Sequence, residues 1–461
     1  MSFATIDFLI FFAVVLGGTA ILERRAPKRF KELFLLIASY FFYGYWDWRF
    51  CFLLLFVTVI SYFTARYSKY KALFAVGVIT PLAVLGVFKY FDFFLSSFSA
   101  VIGRDIGALR IILPVGISFY TFQALSYVID VRRGKLEVEK DFVKLALYIS
   151  FFPQLVAGPI VRASDFLPQL YEERKVTAEN IKWGVQVFVF GLFKKIVLAD
   201  HISVFIDDVY RAPSAFHWSA ILLAVISYSL QIYFDFSGYS DMAIGCAKCL
   251  GYDFKRNFDL PYISRSVTEF WRRWHISLST WLKEYLYIPL GGNRRGKARQ
   301  YLNLFLTMLL GGLWHGANWT FVFWGGLNGL ALCADKLAGE RKKGGVRRAL
   351  GIALTFCFIT FTWIFFRADS FAGAWAVIKG LFTLQQGVKQ PFSWSFIAIA
   401  ALICATAYAE IKAKKTGSET HGYYPILNLD SIPGLTVFFI VVGLILALAY
   451  TGDNPFVYFR F

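Results

Sequence analysis

The sequence predicts an all-α protein that crosses a membrane many times, and three observations carry that expectation. Hydrophobic residues make up 57% of the chain, against about 45–50% in a soluble domain. Charged residues fall to 17%, while phenylalanine alone accounts for 51 of 461 residues. Apolar stretches long enough to cross a hydrocarbon core of ~30 Å recur from end to end. Length by itself would suggest about three domains, but no polar linker interrupts the pattern.

The first apolar run, "IDFLIFFAVVLGGTAIL", lacks a basic segment before it and has Arg24, Arg25, Lys28, Arg29 and Lys31 after it. That order predicts a retained first span with its N-terminus outside, not a cleaved signal. Leu33–Trp46 and Cys51–Ala65 then form a short hairpin returning to "RYSKYK". Ala72–Phe94 leads out, and Ile111–Val131 leads back to "RRGKLEVEK". Between 142 and 160 the pattern breaks. "FFPQLVAGPIVRASDFLPQL" carries Pro153, Pro159 and Pro168. Proline removes backbone donors and kinks helices, and broken backbone at membrane depth survives only inside protein or beside a water-filled cavity. This segment is therefore expected to line a cavity.

Trp183–Leu198, Ser219–Tyr233, Tyr301–Trp314, Trp319–Leu337, Ala349–Phe366, Phe396–Ile411 and Leu435–Tyr450 are further predicted spans. The basic loops "RRGKAR" (294–299), "RKKGGVRR" (341–348) and "KAKK" (412–415) then share the cytoplasmic side, so 301–337 must run out and back. Phe371–Leu384 fits better as an interfacial helix. The total is about eleven to thirteen crossings.

The net charge of +18 follows from these loops, as the positive-inside rule requires. No soluble segment combines basic and aromatic residues, which argues against nucleic acid as a partner. Cys246 and Cys249 have metal-pair spacing but no second pair to complete a zinc site. No metal site is expected. G-x-S-x-G, P-loop and H-E-x-x-H motifs are all absent from the chain.

Residues 231–330 are the least ordinary. Polar and charged residues are dense there between apolar flanks, and ionisable groups at membrane depth are functional candidates by default. Placed on one helix, 271–285 puts Trp271, Trp274, Leu278, Trp281, Leu282 and Tyr285 on a stripe, with His275 at its edge beside Arg272 and Ser279. On the next helix Asn303, Thr307, Gly311 and His315 are four apart and form one line. Gly311 and Gly312 remove bulk beside it, so something approaches closely. Two readings stay open: a reactive imidazole, since histidine exchanges protons near neutral pH, or close helix packing with His315 as hydrogen-bonding glue.

Three segments decide the family resemblance. "FDFSGYSDMAIG", "FWRRWHISLSTWLKEYLYIPLGG" and "GGLWHGANWTFVFWG" resemble the membrane-bound O-acyltransferase (MBOAT) family, and within it the alginate O-acetylation subgroup. "FFPQLVAGPIVR" and "GLFKKIVLAD" are similar to the same subgroup, so the resemblance extends over nearly the whole chain. It implies a single MBOAT membrane domain over 1–461, with the catalytic motifs in 231–330. It also implies transmembrane, re-entrant and interfacial helices around a central tunnel.

By this resemblance His315 matches the family's catalytic histidine, and His275 matches a second, tunnel-lining one. Asn257, Arg272 and Asn318 are candidates for positioning the donor thioester or its carbonyl, with Ser279, Asn303, Thr307 and Asn328 as further positioning candidates. Many relatives carry histidine where this chain has Asn328, which hydrogen-bonds but cannot act as a base at neutral pH. No tightly bound cofactor is implied. The donor is acetyl-CoA or another acyl thioester, with an acyl-carrier protein as the alternative carrier. The acceptor is an exported polysaccharide such as alginate, reached directly or through a periplasmic acetyltransferase of the SGNH, lipase-like type. Membrane lipid surrounds the chain, and the setting is the bacterial cytoplasmic (inner) membrane. D-alanyl transfer to teichoic acid is the alternative within the family. A transporter or export scaffold is the alternative outside it, disfavoured by the lack of an inverted duplication and by few intramembrane carboxylates.

The orientation is testable. Single cysteines placed in 24–31, 294–299 and 341–348 are expected to react with a membrane-impermeant reagent only after the cytoplasmic side is opened, and one at Phe461 in intact cells. Labelling of 341–348 from outside overturns the orientation.

Overall fold

The computed structural model describes residues 1–156, 158–339, 345–390, 394–404 and 427–452. The basic stretch 341–344, the loop 412–415, the end of the predicted span 396–411 and the C-terminal Phe461 lie outside the described residues. The described chain is helical, and its only β feature is an isolated bridge between Phe216 and Val388.

The helices are α1 (Ile6–Arg25), α2 (Lys28–Gly44), α3 (Arg49–Arg66), α4 (Lys71–Leu85), α5 (Phe91–Ile102), α6 (Ile117–Arg132) and α7 (Phe142–Ser150). They continue as α8 (Phe152–Leu155), α9 (Ala163–Tyr171), α10 (Ala178–Leu192), α11 (Asp200–Arg211) and α12 (Trp218–Cys249). Next come α13 (Val267–Arg273), α14 (Ile276–Leu282), α15 (Gly296–His315), α16 (Trp319–Ala338), α17 (Gly345–Arg367) and α18 (Phe371–Phe382). α19 (Trp394–Cys404) and α20 (Ile432–Leu448) complete the series.

Among the described residues, five continuous helical stretches are long and apolar enough to cross a membrane: 6–25, 49–66, 71–102, 218–249 and 345–367. α18, α19 and α20 are shorter apolar helices. The chain is a multi-pass, all-α membrane protein. Counting apolar segments in the sequence yields more crossings than there are long straight helices among the described residues. Several apolar segments are instead short helices, or helices continued through a π-turn, as at 86–90 and 193–199.

Contacts divide the chain into two compact units, 1–188 with 240–255, and 189–239 with 256–461. In the first, α6 is buried on nearly every side, from Ile117 to Val131. The proline-broken segment behaves as its chemistry requires. α7 ends at Ser150, the four-residue α8 follows, and Pro159 is non-helical and buried. Its backbone is satisfied by protein: the Phe152 N–H donates to Ser39 Oγ at 3.2 Å, and Tyr148 OH donates to the Val161 carbonyl at 3.1 Å. The loops of this unit are tied by ion pairs, among them Lys31–Glu23 at 2.6 Å and Arg174–Asp253 at 2.5 Å.

In the second unit α15 and α16 pack along one another as a helical hairpin. Its closeness comes from glycine. A β-carbon on Gly312 would collide with the Phe321 carbonyl and lie 2.9 Å from Gly325 Cα, and one on Gly325 would collide with the Met308 carbonyl. What approaches Gly312 is therefore the partner helix. Gly311 faces only the Leu282 side chain, at 3.2 Å.

The two glycines should differ accordingly. Gly312→Ala forces backbone apart and is expected to cost roughly 1–3 kcal/mol, read as a lower thermal midpoint of the detergent-solubilised protein. Gly311→Ala meets a movable leucine and should cost less. Equal losses would show that the helix spacing does not depend on Gly312.

Candidate active site

All nine candidate residues lie in the second unit. His315 is the last residue of α15 and is 4% exposed. It sits in an aromatic box. Trp314, Trp324 and Phe366 meet its ring edge-on, at centroid distances of 5.0, 5.2 and 5.3 Å. Trp324 comes from α16 and Phe366 from α17, so three helices fix one imidazole.

His275 does not lie within a helix. The expected single helix over 271–285 is broken: α13 ends at Arg273, Trp274 is extended, and His275 is left-handed, with φ 42 and ψ 56, before α14 begins. The physical reason is on both sides of the break. The Trp274 ring is fully buried, against Phe270 at 5.4 Å, Phe258 at 5.1 Å and Trp363 at 5.2 Å. Beyond it, Asn257 takes up the N–H groups that start α14: its carbonyl accepts from Ile276 at 2.9 Å, and its Oδ1 from Ser277 N at 3.1 Å. The aromatic stripe read as one face is thus divided between two short helices.

The break places His275, fully buried, against Phe236 at 4.6 Å and Trp314 at 6.1 Å. Trp314 therefore touches both histidines.

The other candidates serve the framework around this pair. Asn303 donates to the Gly292 carbonyl at 3.0 Å, and Thr307 Oγ1 donates to the Asn303 carbonyl at 2.6 Å. With Gly311 and His315 they form one buried line on α15, as the four-residue spacing predicts. Asn318 caps α16 by accepting from Thr320 N at 3.0 Å and donates to the Asp369 carbonyl at 2.9 Å. Asn328 accepts from Trp271 Nε1 at 3.2 Å and donates to the Trp324 carbonyl at 3.0 Å, which links α13 to α16. Ser279 Oγ turns back to the Trp274 carbonyl at 3.2 Å. Arg272 is exposed, on a helix whose charged side holds Glu269 between Arg265 at 3.2 Å and Arg273 at 2.9 Å. Burial would raise the Glu269 carboxyl, but the Arg265 N–H and the two guanidiniums hold it below its usual range.

Composition and spacing did not single out a buried charge cluster. Lys195 Nζ lies 2.7 Å from Asp200 Oδ1 and 2.8 Å from Asp235 Oδ1, with all three side chains at most 7% exposed. Gly238 lets α12 press onto the backbone of Gly191 and Lys195 at the π-turn. The signal was in "GLFKKIVLAD" and "FDFSG", but only folding brings those carboxylates to one ammonium. Neither did they show that Trp314 packs against both histidines.

An all-helical membrane protein with two buried histidines about one tryptophan has the makings of a group-transfer site within the membrane. Residues 137–368 match the family model described as "MBOAT, membrane-bound O-acyltransferase family". The chain is 41% identical to the "Probable alginate O-acetylase AlgI" of Pseudomonas aeruginosa, over 83% of this chain and 75% of that protein. A protein of the same name from Pseudomonas putida is 36% identical over the full length of both. The "Peptidoglycan O-acetyltransferase" of Helicobacter pylori is 38% identical over 77% of this chain and 74% of its own. The chain belongs to the membrane-bound O-acyltransferase family, and it is an O-acyltransferase.

Proposed function

We propose that the protein carries an acetyl group from a cytoplasmic acyl thioester, acetyl-CoA in the simplest case, outward for O-acetylation of an exported polysaccharide, the attacking hydroxyl being that of the polymer or of a periplasmic partner that hands the group on. The single observation that carries the reading is the pair of buried imidazoles that both pack against Trp314. A dry, aromatic-walled site suits acyl transfer because it excludes the water that would hydrolyse the thioester. It also keeps an imidazole neutral and able to accept a proton.

In this reading His315 is the general base. The acceptor hydroxyl gives its proton to the imidazole as its oxygen attacks the thioester carbonyl. The C–S bond breaks, and the thiolate leaves with that proton. His275, which packs against the same tryptophan, positions the thioester. Asn318, Asn328, Asn303 and Thr307 hold the helices that carry His315, and Asn257, Ser279 and Arg272 belong to the segment around His275.

The acceptor class follows from relatives named for O-acetylation of alginate and of peptidoglycan. Delivery outward implies the bacterial inner membrane, with a periplasmic SGNH-type acetyltransferase as the partner that passes the group to the polymer. An acyl-carrier protein supplying D-alanine is the competing donor. Membranes supplied with labelled acetyl-CoA or with D-alanyl carrier protein distinguish the two, and label entering polymer only from the carrier would overturn acetyl transfer.

The roles separate by substitution. His315→Ala is expected to lower polymer O-acetylation roughly 10²–10⁴-fold per membrane-inserted protein. His315→Gln should not rescue it, because an amide does not accept the proton. His275→Ala should reduce the rate, and His275→Gln should keep part of it. Near-wild-type acetylation by His315→Gln would sink the assignment of His315 as base.

A further inference from the structure

We infer that Asn257 is a positioning residue for the reaction, acting through the backbone of His275. The inference rests on the role proposed above for His275. Non-glycine residues rarely adopt left-handed backbone, and when they do at a buried site the surroundings must over-determine it. His275 is such a residue, fully buried at φ 42. Left to itself the chain around it would continue as helix, which swings the imidazole away from Trp314.

The segment 257–259 prevents this by bracketing the break. On the far side, the Asp259 N–H donates to the Arg273 carbonyl at 2.9 Å, and Arg273 Nη1 donates to the Asp259 carbonyl at 3.1 Å. On the near side, the Asn257 carbonyl accepts from Ile276 N at 2.9 Å, and its Oδ1 accepts from both Ser277 N at 3.1 Å and Ser277 Oγ at 2.9 Å. These bonds occupy the N–H groups that a continuous helix would turn back on itself. They engage the two residues directly after His275. Asn257 is 1% exposed, so no water competes for its oxygen at low cost. Its neighbour Phe258 lies near-parallel to the imidazole, with ring centroids 6.4 Å apart and planes at 15°, so one short segment borders both the backbone and the ring.

The side-chain contribution is specifically that of an acceptor oxygen. Misplacing a reacting group by ~1 Å costs on the order of 10²-fold in rate, which sets the scale. The test uses membrane vesicles of the full-length chain in its complete export system, with labelled acetyl-CoA as the probe. Asn257→Ala is expected to lower kcat for O-acetylation roughly 10–10²-fold and to bring it near the level of His275→Ala. The double variant Asn257→Ala/His275→Ala should be no slower than His275→Ala alone. Asn257→Asp keeps Oδ1 and should retain most of the rate. Ser277→Ala, which removes one donor without touching Asn257, should give a smaller loss that also vanishes in the His275→Ala background. It keeps the test decisive if Asn257→Ala does not insert. Losses that multiply in the double variants would overturn the inference, because Asn257 would then act elsewhere. If His275→Ala leaves the rate unchanged, the role of His275 falls first and this inference with it.

Discussion

The rings around Trp324 and Trp363 are the interaction on which the rest of the second unit depends. Trp324 and Trp363 stack at 5.4 Å and 17°. Trp363 reaches Trp274 at the helix break, and Trp324 reaches His315. One continuous aromatic path thus runs from the turn that carries His275 to the helix end that carries His315. Large rigid rings suit this task because they bury much area while freezing few torsions. Glycine supplies the complementary half. Without Gly312 and Gly325 the two helices of the hairpin could not approach closely enough for Trp324 to face His315.

The same region shows how broken backbone is tolerated at depth. Several interruptions are capped by a side chain or bonded to a carbonyl of another segment. Ser266 starts α13 by accepting from Glu269 N, Asn318 starts α16, and Ser370 starts α18. In hydrocarbon an unpaired N–H costs several kcal/mol, which is why polar residues stand at these helix starts. The cluster of Lys195, Asp200 and Asp235 obeys the same economy for charge. Each carboxylate shares one ammonium, and leaving any of the three alone would strand a buried ion.

Chemically the site presents aromatic rings to both imidazoles: Phe236, Phe258 and Trp314 to His275, and Trp314, Trp324 and Phe366 to His315. The proposed transfer returns the proton to the leaving thiol, so no lasting charge forms at the site.

Much of this was legible in the residues. Composition and the recurrence of apolar runs determined the all-helical, multi-pass class. Four-residue spacing determined that Asn303, Thr307, Gly311 and His315 share a face, because helical geometry is local. The prolines at 153 and 159 determined that the backbone breaks there, because a missing N–H is a property of the residue itself. Tertiary structure alone decided the rest. The period through 271–285 reads as one helix, yet Asn257 and the burial of Trp274 break it, and both act from segments distant in sequence or on the other side of the core. Only folding decided that Gly312 admits a helix, that Asn328 bonds Trp271, and that Lys195 meets two carboxylates. Local pattern reports which face a side chain occupies, whereas its partner across the core is set by packing that no single segment contains.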